Sequence, residues 1–170
     1  MTLLIKYLGL CWFLNNPSDL VPKKPFMWKV VIFYFLSGWL VEGLIADPAD
    51  GFLEVSLRLI MAFSSIATFL FIRKKWQYFN QVFTAIFVCE NFIMTLATLT
   101  EGIYFYMVIN KIKHYEEVAI GLGTLLLLWY LTIVAYILRK LFNFPILHSL
   151  LLATGYFVLT YGIPMMFMDM

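Results

Sequence analysis

The sequence predicts an all-α protein, a polytopic transmembrane bundle of about five helices with a short N-terminal helix before it. Two observations predict this class. Of 170 residues, 63% are hydrophobic and 13% are charged, whereas soluble domains contain roughly 45–50% apolar and about 25% charged residues. The apolar residues also fall into five long runs, and an α-helix of about 20 residues crosses a hydrocarbon core of about 30 Å.

The first 25 residues are predicted as a segment of their own. Apolar side chains recur at helical spacing as far as Trp12, with Lys6 interrupting the run. This spacing predicts an amphipathic helix lying in the membrane interface, with Trp12 at headgroup depth. A re-entrant apolar wedge is the alternative. A linker that interrupts any continuous helix follows, with prolines at Pro17, Pro22 and Pro25.

Residues 26–170 are predicted as one five-span bundle, with spans at 27–46, 52–72, 82–107, 118–138 and 146–168. The fourth span contains no Asp, Glu, Lys or Arg, and the fifth begins after a proline. Residues 47–51 read Asp-Pro-Ala-Asp-Gly, a composition typical of turns, so the first two spans should form a tight hairpin. The links leave no room for a separate soluble domain.

The basic residues outside the spans alternate between the two sides of the predicted bundle. One side carries nine of them and the other only two, Lys111 and Lys113. Basic residues near span ends are retained on the cytoplasmic side, which predicts a cytoplasmic N-terminus and an exterior C-terminus at Asp169 and Met170. The net charge of +2 is too small to indicate a nucleic-acid partner. The nine are Lys6, Lys23, Lys24, Lys29, Arg73, Lys74, Lys75, Arg139 and Lys140.

Five ionisable residues inside the spans form a candidate polar cluster, because each costs roughly 2.5–3.5 kcal/mol to insert and therefore needs a partner. Glu54 and Arg58 are four residues apart, the spacing of a direct pair on one helical face. The functional interpretation is a polar cavity that opens outward and binds a headgroup, an ion or a partner helix. The favoured alternative is a structural ion-pair network, or carboxylates that reach the interface. The five are Glu42, Glu54, Arg58, Glu90 and Glu101.

Glu90 lies about nine residues inside a span, too deep to reach either surface, so we expect it to face protein. A neutral carboxyl at that depth either links helices through hydrogen bonds or relays a proton. Asn91, Thr95 and Thr98 also supply such bonds, and they favour the structural interpretation.

The remaining reactive side chains give no chemical signature. Cys11 and Cys89 are predicted at different depths, which predicts two small apolar side chains and no disulfide. His114 and His148 are isolated, so no metal site is expected. The spans also carry aromatic residues that either line a ligand groove or pack the core, and packing is favoured. These are Trp129, Tyr130, Tyr156 and Tyr161.

The final hairpin, LLLLWYLTIVAYILRKLFNFPILHSLLLATGYFVLTY, resembles the end of small uncharacterised bacterial inner-membrane proteins with a Yip-like, five-span layout. The resemblance extends from residue 27 onward and is one of layout. It implies a bacterial inner-membrane location. The eukaryotic Yip family acts in membrane trafficking with Rab GTPases, but its aspartate-leucine-tyrosine-glycine signature is missing here. No Rab function and no functional residue is therefore transferred.

These features predict an integral membrane protein that is not an enzyme and uses no cofactor. The expected role is that of an accessory or assembly subunit, with membrane lipids, other membrane proteins or further copies of the chain as partners. A small oligomeric transporter or channel subunit that uses intramembrane carboxylates is the alternative.

Overall fold

The computed structural model describes residues 3–45 and 47–168, and the predicted C-terminal residues Asp169 and Met170 lie outside this range. The described part consists of helices and short links, with no strand in it. Its α-helices are α1 (Leu3–Leu8), α2 (Lys24–Ile45), α3 (Pro48–Ile72), α4 (Phe79–Ile109), α5 (Tyr115–Phe142), α6 (Ile146–Phe157) and α7 (Ile163–Met168). Three short 3₁₀ turns (Gly9–Trp12, Pro17–Asp19 and Trp76–Tyr78) and one π-helical segment (Val158–Gly162) complete it.

Five helices of the described chain are long and apolar enough to cross a membrane, as the sequence predicts. Four are α2 to α5. The fifth is the stretch Ile146–Phe167, which α6, the π segment and α7 form together. The all-α, five-span class is therefore confirmed.

The helices extend further into the polar links than the apolar runs do. The predicted turn at 47–51 is wrong for all but its first residue, because α3 already begins at Pro48. Asp47 caps this helix, its carboxylate accepting a hydrogen bond from the Ala49 N–H at 2.8 Å. Proline is favoured in the first turn of a helix, so the Asp-Pro pair starts α3 instead of extending the loop.

Contacts between the links bring their basic residues to one end of the bundle. Phe69, near the end of α3, packs edge-on against Phe142 at the end of α5, with ring centroids 5.3 Å apart. The Arg73 guanidinium lies 4.8 Å from the ring centroid of Phe144. We call this the basic end, formed by residues 23–24, 73–75 and 139–140.

Residues 3–15 enter the bundle, and we call them the N-terminal wedge. Trp12 packs against Phe92 and Trp129, with centroid distances of 4.9 and 6.0 Å. Phe92 is 13 residues from the start of α4, which is about 20 Å along a helix. These contacts favour the re-entrant alternative over a helix lying flat in the interface, and the position of Trp12 at headgroup depth stays a prediction.

Side chains of the bundle satisfy the irregular backbone of the wedge. Phe13 has a φ of 60° and ends the helical turn. The Trp129 indole donates to the Cys11 carbonyl at 2.9 Å, and the Tyr136 hydroxyl lies within hydrogen-bonding distance of the Phe13 and Asn15 carbonyls. Non-helical backbone is tolerated at membrane depth only when protein groups satisfy it, so these donors permit the wedge to enter.

The wedge also brings the two cysteines together. Cys11 and Cys89 are both buried and free, and they lie in the same contact, since Trp12, next to Cys11, packs on Phe92, three residues along α4 from Cys89. The sequence-based argument that placed them at different depths is therefore wrong. Both remain small apolar side chains that fill the contact between the wedge and α4.

Candidate functional site

A close approach between α2 and α3 positions the charged part of the site. A Cβ added to Gly51 would lie 2.6 Å from the Gly43 nitrogen and 3.0 Å from the Glu42 carbonyl carbon. Small residues let helix backbones approach closely in membrane proteins. The contact therefore sets Glu42 on α2 beside the face of α3 that carries the next two charged residues.

Arg58 forms ion pairs with two carboxylates. Its Nη1 lies 2.7 Å from Glu42 Oε1, and its Nη2 lies 2.5 Å from Glu54 Oε1. The Arg58 side chain is 14% exposed, so this is a largely buried network. The predicted pairing of Glu54 with Arg58 is confirmed, and Glu42 joins them as the sequence analysis anticipates.

Tyr161 connects this ion-pair network to Glu90. Its hydroxyl donates to Glu90 Oε1 at 2.5 Å, and its ring face lies 4.9 Å from the Arg58 guanidinium carbon. A guanidinium over an aromatic ring gains electrostatic stabilisation. Glu90 itself is 2% exposed, so it faces the bundle interior, as its depth predicts.

The π segment Val158–Gly162 carries Tyr161, and Pro164 gives a reason for this wide turn. Proline lacks an N–H and its ring collides with the carbonyl four residues earlier, here that of Thr160. A π turn accommodates such a clash. The Thr160 hydroxyl donates to the Tyr156 carbonyl at 2.8 Å. The wider turn thereby sets the direction in which Tyr161 leaves the fifth span.

Three further tyrosines surround Glu90. Tyr34 on α2, Tyr130 on α5 and Tyr156 on α6 are all buried and within electrostatic range of its carboxyl. The second carboxyl oxygen of Glu90 and the hydroxyls of Tyr130 and Tyr156 have no hydrogen-bond partner among the described residues. We call Glu90, Tyr130, Tyr156 and Tyr161 the Glu90 cluster.

The remaining polar residues that the sequence analysis singled out in α4 do not belong to the ion-pair network or to the Glu90 cluster. Glu101 is exposed on α4 and does not join the ion pairs of the described chain, which corrects its expected convergence with Glu42 and Arg58. Asn91 donates to the Val30 carbonyl at 3.1 Å and so links α4 to α2. Thr95 and Thr98 bond carbonyls of their own helix instead.

The sequence analysis did not predict that tyrosines surround Glu90. It singled out Tyr130, Tyr156 and Tyr161 and favoured simple packing, and it did not single out Tyr34. A usable signal is present, because a buried tyrosine hydroxyl usually finds a polar partner, and Glu90 is the deepest acid in the spans.

A second feature is an apolar groove of about 420 Å³ between the wedge, α2 and α4. Most of its lining is hydrocarbon and aromatic, from residues such as Leu4, Phe33 and Phe92. Lys29 lies on its lining and is exposed, and Thr95 lines it deeper in the bundle. The groove thus combines apolar walls with one cation near the basic end.

Neither feature gathers metal ligands, since residues 3–45 and 47–168 contain no group of three or more His, Cys, Asp or Glu arranged to hold a metal ion. Comparison with protein-family models, curated proteins and solved structures finds no match to this chain. The geometry of the cluster and of the groove is therefore the basis for inferring a function.

Proposed function

We propose that this chain is a non-enzymatic integral membrane protein of the bacterial inner membrane that binds phospholipid as an accessory or assembly subunit. The observation that carries the proposal is the apolar groove beside the N-terminal wedge. Its walls suit an acyl chain, and the lysine on its lining suits an anionic headgroup. The walls of the groove are mostly apolar, which favours binding over catalysis.

The dimensions of the groove support this ligand. Lys29 is 5 residues from the start of α2 and Thr95 is 16 residues from the start of α4. At a rise of about 1.5 Å per residue, they lie about 8 Å and about 24 Å from the basic end. A headgroup held near Lys29 therefore places its acyl chain along the deeper apolar wall.

The same proposal includes an orientation. The basic end carries most of the lysines and arginines of the links, and the positive-inside rule places it in the cytoplasm. The N-terminus is then cytoplasmic and the C-terminus exterior. A cytoplasm-dependent reporter fused after Lys75 should be active, and its inactivity would reverse this assignment.

The lipid proposal is tested by native mass spectrometry of the detergent-purified protein with added phosphatidylglycerol or phosphatidylcholine. Leu4→Trp should fill the groove and lower binding of both lipids several-fold. Ile5→Trp is the matched control, because Ile5 is 48% exposed against 46% for Leu4 but does not line the groove. Equal lipid binding by the two variants would refute the groove as the site.

The headgroup preference is tested in the same assay. Lys29→Ala should weaken phosphatidylglycerol binding about fivefold, corresponding to about 1 kcal/mol per basic residue, and leave phosphatidylcholine unchanged. Lys113→Ala, at the opposite end of the bundle, should change neither. Loss of both lipids in Lys29→Ala would show that charge is not what the lysine contributes.

A second candidate, a small oligomeric transporter or channel subunit, is favoured by one observation, the fully buried carboxyl of Glu90. Intramembrane carboxyls mark ion and proton pathways in many membrane proteins. Five short spans enclose little volume, so this function requires an oligomer. A monomer in detergent and in lipid nanodiscs would exclude it.

A further inference from the structure

The Glu90 cluster differs from an ordinary ion-pair network in its charge balance. Glu42, Glu54 and Glu90 supply three carboxyl groups around a single guanidinium, that of Arg58. Both terminal nitrogens of Arg58 are already engaged by the first two carboxylates. With Glu90 ionised, the three carboxylates and one guanidinium would carry a net charge of −2 instead of −1. This is strongly unfavourable in a region that is largely removed from water.

The hydrogen-bonding groups around Glu90 are compatible with a bound proton. One carboxyl oxygen of Glu90 accepts a hydrogen bond from Tyr161. The other carboxyl oxygen has no hydrogen-bond partner in the described chain, and Glu90 is only 2% exposed. The neighbouring hydroxyls of Tyr130 and Tyr156 are also unpartnered and buried. A tyrosine oxygen accepts as well as donates, so a carboxylic acid O–H at Glu90 would give these groups a donor.

A metal cation fits the cluster poorly. Hard cations take six or more oxygen ligands, several of them carboxylates, whereas this cluster offers one carboxyl and neutral phenols. The other two carboxylates are held by Arg58. A proton needs only one acceptor oxygen and one further hydrogen-bond acceptor, and the cluster supplies both.

We propose that Glu90 is a buried proton-binding site that holds a proton at neutral pH, with Tyr161 as its permanent donor. Water supplies the proton, which converts the carboxylate to a carboxylic acid, and no electron is transferred. This site does not depend on the lipid groove. Several titratable and charged groups face Glu90 from the surrounding elements: Tyr34, Arg58, Tyr130, Tyr156 and Tyr161. Glu42 and Glu54 lie on the far side of Arg58. Cys89 precedes Glu90 in α4, and Cys11 neighbours Cys89.

Binding or loss of this proton would change the contacts that Tyr161 makes in the fifth span. Tyr161 lies on the π segment and touches both Glu90 and Arg58. Loss of the proton would strengthen the hydrogen bond from Tyr161 and attract the Arg58 guanidinium toward Glu90. Glu90 therefore links the ionic contacts of α2 and α3 to the one wide turn in the described spans.

Infrared spectroscopy of the protein in maltoside detergent, which contains no ester carbonyl, tests the proposal, because a protonated carboxyl has a C=O stretch that ionised carboxylates lack. At neutral pH the wild type should show this band, and Glu90→Gln should lose it. Glu101→Gln is the matched control on the same helix and should keep it. A band of equal intensity in all three proteins, or its absence from the wild type, would overturn the assignment.

Two further measurements keep the test decisive if Glu90→Gln folds poorly. Tyr161→Phe keeps the ring over Arg58 and removes the donor, so the band should move to higher frequency, and an unchanged band would contradict the proposal. Sodium or potassium chloride, or calcium chloride, added to the wild type at neutral pH should leave the band in place. Its loss on adding one of these salts would identify a cation site instead.

Discussion

The two halves of α4 differ in burial although both are apolar. In the first half, every residue from 82 to 91 is buried, and in the second half, residues 92–109, none is. Ten consecutive buried residues require neighbours on all sides of the helix, and the wedge, α2, α3 and α5 provide them. The second half still contacts α5, where Tyr104 packs against Tyr115 with ring centroids 5.7 Å apart. Apolarity in a membrane helix therefore does not indicate burial, because lipid and protein are equally acceptable to a leucine.

Truncating one large apolar side chain in each half of α4 should give the largest difference in unfolding free energy. Phe87 is fully buried and packs on Phe83 and Tyr34, with centroid distances of 4.3 and 4.9 Å. Phe87→Ala should cost about 3–5 kcal/mol of unfolding free energy in lipid bicelles. Leu99→Ala, at a position 61% exposed, should change it by less than about 0.5 kcal/mol. Equal effects would mean that the second half is buried by another chain.

The ion pairs between α2 and α3 should give the next largest effect. Arg58→Leu leaves two carboxylates of α2 and α3 side by side. Breaking a fully buried pair costs about 3–5 kcal/mol, and we expect about half of that here because Glu42 is 22% exposed and Glu54 is 17% exposed. Thermal unfolding in detergent measures the loss.

Combining Arg58→Leu with Glu42→Gln and Glu54→Gln should recover most of the stability, because neutral amides remove the repulsion. The recovery should need both glutamines, since each carboxylate has its own nitrogen on Arg58. Strict additivity of the three changes would show that these residues do not interact.

The smallest effect should come from the hydrogen bond that holds the wedge against α5. Trp129→Phe removes the donor to the Cys11 carbonyl and should cost about 0.5–1.5 kcal/mol. A short bifunctional thiol reagent should cross-link Cys11 to Cys89 in the wild type and do so less efficiently in this variant. Failure of the wild type to cross-link would place the wedge outside the bundle.

Some features of the site could be predicted because they are local. The pairing of Glu54 with Arg58 follows from a four-residue spacing on one helix, which fixes two side chains on the same face. The interior position of Glu90 follows from its depth, because a mid-span carboxyl has no route to water. Glu101 was misplaced, since nothing in its own span says which face it occupies.

The sequence by itself determined the number of spans and their approximate limits, since these depend on length and composition within one segment. The helix start at Pro48 was read as a turn, although its Asp47 cap is also a local feature. Only the tertiary structure decided that Glu42 reaches Arg58, that Tyr161 reaches Glu90, and that the wedge enters beside α4. The physical reason is rotational: a helix that is apolar on all sides has no preferred face. Its contacts are set by close approaches such as that of Gly51 to Gly43, which exist only once the helices have packed.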